Sequence, residues 1–280
     1  MHGLPFLLAF VTAVVLAPAV LRTLGDGAHV KPNYRDRRLP HPFGLLSVAA
    51  ALLALIPLVA LERFASAEVF HSEVYPVAVY ALGVTLLGLI DDVFGEPHAG
   101  RPAPRGWRGH GAALARGEFS TGALKAAGSL GLALFAVNAA GMSAGRSLLA
   151  VAVLVLATNV FNLLDLRPGR STKAFVLIGA GLTLGAGDVR PLWTLGLFAA
   201  PALVAGLYDL RERAMLGDTG ANLLGALAGL WMVLTLSSTG QAVALAMLLL
   251  ITVYGEFRSI SGFVERTPGL RELDSLGRPS

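Results

Sequence analysis

Apolar residues gather in nine long charge-free runs: Leu4–Leu21, Phe43–Leu61, Val74–Ile90, Ala126–Ala144, Ser147–Leu164, Ala174–Gly187, Pro191–Tyr208, Thr219–Leu236 and Gln241–Gly255. A helix needs about 17–25 mostly apolar residues to cross a bilayer. Each run therefore predicts a spanning helix. The sixth and ninth are short and must borrow flanking polar residues or sit in thinner bilayer. Gly179, Gly181 and Gly185 in the sixth suit close helix–helix approach. The predicted fold is an all-α, polytopic membrane bundle of one domain over residues 1–280, with a cytoplasmic tail over 256–280. No internal repeat is evident, which argues against a transporter built from two related halves.

Composition agrees with the pattern. Hydrophobic residues make up 55% of the chain and charged residues only 14%, with a mean hydropathy of +0.67. A soluble domain carries about 25% charged residues, because its surface must face water. Cysteine is absent, which removes disulfides, Cys-based zinc sites and thiol nucleophiles. The charges that remain are distributed unevenly. With the N-terminus outside and the runs alternating, 19 of the 22 Lys and Arg residues fall inside, and only Arg63, Arg146 and Arg190 fall outside. The positive-inside rule then gives an N-out, C-in topology in the cytoplasmic membrane, with the working face cytoplasmic. Met1–Pro5 carries no Lys or Arg ahead of the first run, the reverse of a cleaved signal, so this run is expected to be a retained span.

Polar groups at the inner ends of these runs carry the candidate chemistry. Asp91 and Asp92 close the third run in GLIDDVFG. An aspartate at mid-membrane costs roughly 2.5–3.5 kcal/mol, so the pair belongs at the membrane edge or in a wet cleft. Asn159, Asn162 and Asp165 in TNVFNLLD recur at i, i+3, i+6 on one drifting helix face. Glue between helices explains the two asparagines as well as a site does. In MLGDTGAN, Asp218 and Thr219 suit an N-cap, leaving the Gly220 and Ala221 N–H groups as free donors for a phosphate. Arg167, Arg170 and Lys173, with Lys125 ahead of the fourth run, form a basic set whose plain alternative is topology charge. Asp91, Asp92, Asp165 and Asp218 are expected in one cleft. Carboxylates gathered that closely need a cation, and oxygen-only donors beside phosphate favour Mg²⁺.

At these residues the chain resembles the polyprenyl-phosphate N-acetylhexosamine-1-phosphate transferase family. VKPNYRDRRLPHPFG (30–44) resembles the family's first cytoplasmic loop, and GLIDDVFG its aspartate-pair motif. GEFSTGALK resembles the stretch ending in a lysine, here Lys125. TNVFNLLD resembles N-x-x-N-x-x-D, and MLGDTGAN resembles M-G-D-T-G-S, all in family order. The resemblance implies Mg²⁺-dependent transfer of a sugar-1-phosphate from a UDP-sugar to undecaprenyl phosphate, with release of UMP, in cell-envelope glycan synthesis of the peptidoglycan type. It implies Asp91, Asp92 and Asp218 as catalytic, with Asp218 and Asp92 on the metal. Lys125, Asn159, Asn162, Asp165, Arg167, Arg170 and Lys173 are then expected to meet substrate. A homodimer is a further expectation.

The sequence also departs from that family. Pro168 stands where a second aspartate follows N-x-x-N-x-x-D, and Met215 where an aromatic stacks on uracil. The His-rich last loop is replaced by a tail holding Arg258, Arg266, Arg271 and Arg278. Pro168 should end the helix and let Arg167 and Arg170 turn into the cleft as bidentate phosphate ligands. The alternative reading is a non-enzymatic member, a membrane scaffold or lipid-carrier-binding protein in envelope assembly.

Overall fold

The computed structural model describes residues 1–95 and 120–279. Arg101, Arg105, Arg108 and Arg116, used above for the charge bias, lie outside the described residues, as do Gly117, Glu118 and Phe119 of GEFSTGALK. Each of the nine apolar runs falls mainly in one helix: α1 (Leu4–Asp26), α2 (Leu45–Ala65), α3 (Val74–Phe94), α4 (Thr121–Ala139), α5 (Ala144–Leu164), α6 (Arg170–Ala186), α7 (Arg190–Leu210), α8 (Gly217–Thr235) and α9 (Ser238–Phe257). Two short helices follow in the tail, α10 (Ile260–Arg266) and α11 (Leu270–Ser275). Among the described residues the only sheet is a hairpin between α1 and α2, with β1 (Val30–Pro32) antiparallel to β2 (Arg38–Pro40) and Lys31 opposite Leu39.

Among the described residues seven helices, α1 to α5, α7 and α9, are long and apolar enough to cross a membrane. They leave large apolar side chains such as Val15, Ile56, Leu148, Met247 and Leu250 exposed. That is the surface expected where lipid, not water, is the solvent. The structure thus gives an all-α bundle built for a bilayer. α6 and α8 fall outside those seven for different reasons. α6 has 17 residues, as short as its apolar run foretold. α8 has 19 but is less apolar, since it carries Asp218, Asn222 and several glycines; nearly all of it is buried, and it packs against α3, α5, α6 and α7.

That central position depends on small residues. A Cβ on Gly225 of α8 would lie 2.7 Å from Thr158 Cα of α5, and one on Gly88 of α3 only 2.4 Å from the Asp218 carbonyl oxygen. Helices that approach this closely gain dispersion contacts along their backbones. The approach also lifts the C-terminal end of α3 onto the first turn of α8. Chain direction places other segments at the same end: the end of α5, the starts of α4 and α6, the hairpin and the tail. The opposite end is marked by the stacked rings of His2 and His71, 3.8 Å apart, and by the Arg190–Glu73 ion pair.

Candidate functional site

Four helix ends meet where α3 stops and α8 starts. Lys125, one turn into α4, places its ammonium between two carboxylates. It donates to Asp91 Oδ2 at 2.8 Å and to Asp218 Oδ2 at 2.5 Å. Asn162 on α5 completes the group. With its amide oriented to suit both neighbours, Nδ2 donates to Asp218 Oδ1 at 2.8 Å and Oδ1 accepts from Lys125 Nζ at 3.1 Å. Asp91, Lys125, Asn162 and Asp218 come from α3, α4, α5 and α8, yet form one polar knot. The Asp91, Lys125 and Asp218 side chains are between 17% and 29% exposed, so the knot is sheltered but open to a ligand.

Asp92 takes a different place from its neighbour. Its Oδ1 accepts from the Asp218 N–H at 3.0 Å and faces His41 Nε2 at 3.2 Å. Its Oδ2 accepts from the Thr219 N–H at 2.8 Å and the Thr219 hydroxyl at 2.6 Å. The carboxylate caps α8, satisfying donors that a helix N-terminus leaves open. The Asp218 and Thr219 N–H groups are thereby closed to a phosphate at this helix start. Gly220 is shielded too, because a Cβ on Gly44 would come within 2.3 Å of its backbone nitrogen.

The remaining predicted residues divide. Asn159 donates to Thr252 of α9 at 3.2 Å, which is the helix-glue role. Asp165, which follows α5, accepts from Ser171 Oγ at 2.6 Å rather than from Lys125. Of the four aspartates, Asp91 and Asp218 contact the Lys125 ammonium, while Asp92 and Asp165 are hydrogen-bonded elsewhere. Among the described residues no three acidic or histidine side chains converge as a metal-ligand set.

The basic set after α5 faces the tail. Arg170 is buried and forks onto Asp274 through Nε at 2.8 Å and Nη2 at 2.9 Å, with Nη1 on Ser261 at 3.0 Å. Arg278 meets the same carboxylate at 2.7 and 3.1 Å, and Lys173 donates to the backbone oxygens of Leu273 and Asp274. Burial alone would raise the Asp274 carboxyl, but the Arg170 and Arg278 hydrogen bonds and charges outweigh it and hold it at about 2. Arg167 reaches Glu265 at 3.0 Å and lies 4.5 Å over the Tyr34 ring. The guanidiniums expected in the cleft are thus engaged by the tail. Beside them an apolar cavity of about 470 Å³ opens between the end of α5, α6, α9 and the tail helices, with Leu164, Leu177, Leu250, Tyr254 and Phe263 among its lining.

Sequence reasoning missed three residues here. His41 sits in a stretch prized for its order in the chain, with nothing local to single it out. Asp209 closes α7 and accepts from the Gly169 N–H at 2.6 Å, pinning the turn before α6. A charge ending an apolar run was its available signal. Glu212, left-handed at φ 50°, anchors the hairpin turn by accepting from Asn33 at 3.2 Å and Tyr34 at 3.0 Å. Compared with known proteins, the chain matches no family model, and no curated protein matches it either.

Proposed function

We propose that this protein is a nine-span, N-out, C-in enzyme of the cytoplasmic membrane that transfers a sugar-1-phosphate from a UDP-sugar to a polyprenyl phosphate and releases UMP. The observation that carries this reading is the knot of Asp91, Lys125, Asn162 and Asp218. Two carboxylates from different helices reach a single cationic centre there, at the end of the bundle where the basic loops lie. Mg²⁺ is held in just such sites, by one or two carboxylates with substrate phosphates completing its shell. Asp218, with Asp91 beside it, would hold it. When bound, the ion neutralises charge on the diphosphate.

The chain's own groups do the rest. Asn162 fixes the Asp218 carboxylate in rotation, and Lys125, released from its two partners, is free to meet phosphate oxygens. Asp91 faces the incoming lipid phosphate and orients it. An oxygen of that phosphate attacks the β-phosphorus of the UDP-sugar. The bond from that phosphorus to the bridging oxygen breaks, and UMP leaves with the electron pair. Positioning and charge neutralisation carry such a transfer. The apolar cavity beginning at Leu164, two residues beyond Asn162, offers a slot for a prenyl chain.

One observation favours the second reading, a lipid-carrier-binding scaffold: Arg167, Arg170 and Lys173 are all engaged by the tail. One experiment separates the two. Purified protein is given Mg²⁺, undecaprenyl phosphate and a panel of UDP-sugars, and UMP is measured. Release that falls by about 10²-fold or more in Asp218→Asn supports the enzyme. Binding of the lipid phosphate without any UMP would support the scaffold.

A further inference from the structure

An aspartate pair invites the assumption that both members meet the ligand. A carboxylate has about four lone-pair positions; at Asp92 three are taken by two N–H groups and one hydroxyl of the protein, and the fourth is faced by His41 Nε2 at 3.2 Å. Its side chain is 5% exposed, against 20% for Asp91. Successive residues on a helix point about 100° apart, so one carboxylate turns to the knot and the other to the start of α8.

His41 reaches Asp92 from a segment that is itself stitched to α8. The Met215 N–H donates to the Pro40 carbonyl at 2.9 Å, and the Phe43 and Gly44 N–H groups donate to Met215 and Leu216 at 2.8 and 3.0 Å. The His41 N–H is held by the His29 carbonyl at 2.9 Å, and the Asp92 carbonyl accepts from Lys31 Nζ of β1 at 3.3 Å. Gly217 lets these three segments converge. Its φ is +71°, and a Cβ there would lie 2.7 Å from both Asp92 Oδ2 and His41 Nε2.

We infer that Asp92 and His41 are positioning residues, which clamp the first turn of α8 and so set where Asp218 stands against Asp91 and Lys125. The inference rests on the functional reading above for its catalytic consequence, while the clamp itself can be measured without catalysis. Asp92 touches neither the knot's cation nor a substrate. It acts through the backbone of Asp218 and Thr219, and His41 acts through Asp92.

The test uses the full chain in detergent micelles as wild type, His41→Ala, His41→Gln and Asp91→Asn. Glutamine carries an amide N–H at nearly the reach of Nε2, so it restores the donor without an imidazole. In His41→Ala the amides of Asp218 and Thr219 should exchange with deuterium about tenfold faster or more, and His41→Gln should recover most of the protection. Asp91→Asn should leave that exchange unchanged, since Asp91 holds no α8 amide. In turnover, His41→Ala should lower kcat about 10–100-fold, the cost typical of groups that orient a ligand-bearing residue. Its KM for the UDP-sugar should stay within about twofold, and His41→Gln should return most of kcat. Wild-type exchange at 218–219 in His41→Ala, or a glutamine variant no better than alanine, would overturn the inference. So would faster exchange in Asp91→Asn. If wild-type protein releases no UMP, the functional reading fails, and the exchange measurements alone decide the clamp.

Discussion

Gly88→Ala adds a single methyl group to α3, four residues before Asp92, and its effect can be worked out from the packing. The new Cβ would lie 2.4 Å from the Asp218 carbonyl oxygen, 2.7 Å from its carbon and 2.9 Å from Asn222 Nδ2. Ordinary contact begins near 3.4 Å, so α3 and α8 must part by about 1 Å, and because the nearest atoms are backbone no rotamer can absorb the strain. Three hydrogen bonds cross that gap, from the Asp218 N–H at 3.0 Å and from the Thr219 N–H and hydroxyl at 2.8 and 2.6 Å, all to Asp92. Lengthened by about 1 Å, they pass beyond useful hydrogen-bond range. Overpacking of this kind costs about 1–3 kcal/mol of stability. Misplacing a reacting group by about 1 Å costs on the order of 10²-fold in rate. Gly131→Ala on α4 is the matched control, since a Cβ there meets nothing within 4 Å. Thermal unfolding in micelles and UMP release together give the readout. Gly88→Ala should melt lower and lose about 10²-fold in kcat, while Gly131→Ala keeps both. Wild-type turnover and melting in Gly88→Ala would refute the claim that this contact sets the site.

Other perturbations follow from the same contacts. Asn159→Ala should cost about 1 kcal/mol of stability through the lost Thr252 bond and leave turnover within about twofold, whereas Asn162→Ala should lower turnover about tenfold or more by freeing Asp218 and Lys125; equal losses of turnover in the two would undo the distinction. Asp274 stands at about 2, below its ordinary value of 3.8. Its contribution is therefore complete above about pH 4 and is lost as pH falls through about 2; discounted for water reaching the tail, it amounts to about 1–2 kcal/mol. Melting of the wild type should weaken over that window, and Asp274→Asn should remove the dependence. Reporters fused after Ser280 and inserted near Ala67 should fall on opposite sides of the membrane, and both on one side would sink the nine-span topology.

Why some of this was legible in the sequence and some was not has a physical basis. Charge-free runs locate helices well because a bilayer tolerates few exceptions, so each of the nine runs falls mainly in one helix. The same rule misplaces ends. α4 begins at Thr121, five residues ahead of its apolar run, because the Lys125 charge that seemed to mark a boundary is instead neutralised inside the bundle by Asp91 and Asp218. The ninth run looked short, yet α9 reaches 20 residues by taking in Ser238, Thr239, Gly240, Glu256 and Phe257. α8 reads as an ordinary span, but its glycines mark a helix that meets other helices on nearly every side.

The candidate site was legible in kind but not in its wiring. Asp91, Lys125, Asn162 and Asp218 were each suspect because an ionisable or amide group at the edge of an apolar run must find a partner. Spacing within one helix could not say which partner. Asn159 and Asn162 differ by less than one turn, yet one donates to Thr252 and the other to Asp218, because α9 and α8 flank α5 on different sides. Asp91 and Asp92 differ by a single residue and part in the same way. The basic set after α5 shows the limit most clearly. Arg170 fits a phosphate fork by every local criterion, and it does form a bidentate pair, but with an aspartate 104 positions away in the tail. Local sequence specifies the chemistry that a side chain demands. The partner that satisfies the demand is chosen by the packing of distant segments, and the close backbone contacts at Gly44, Gly88 and Gly225 are where that choice is made.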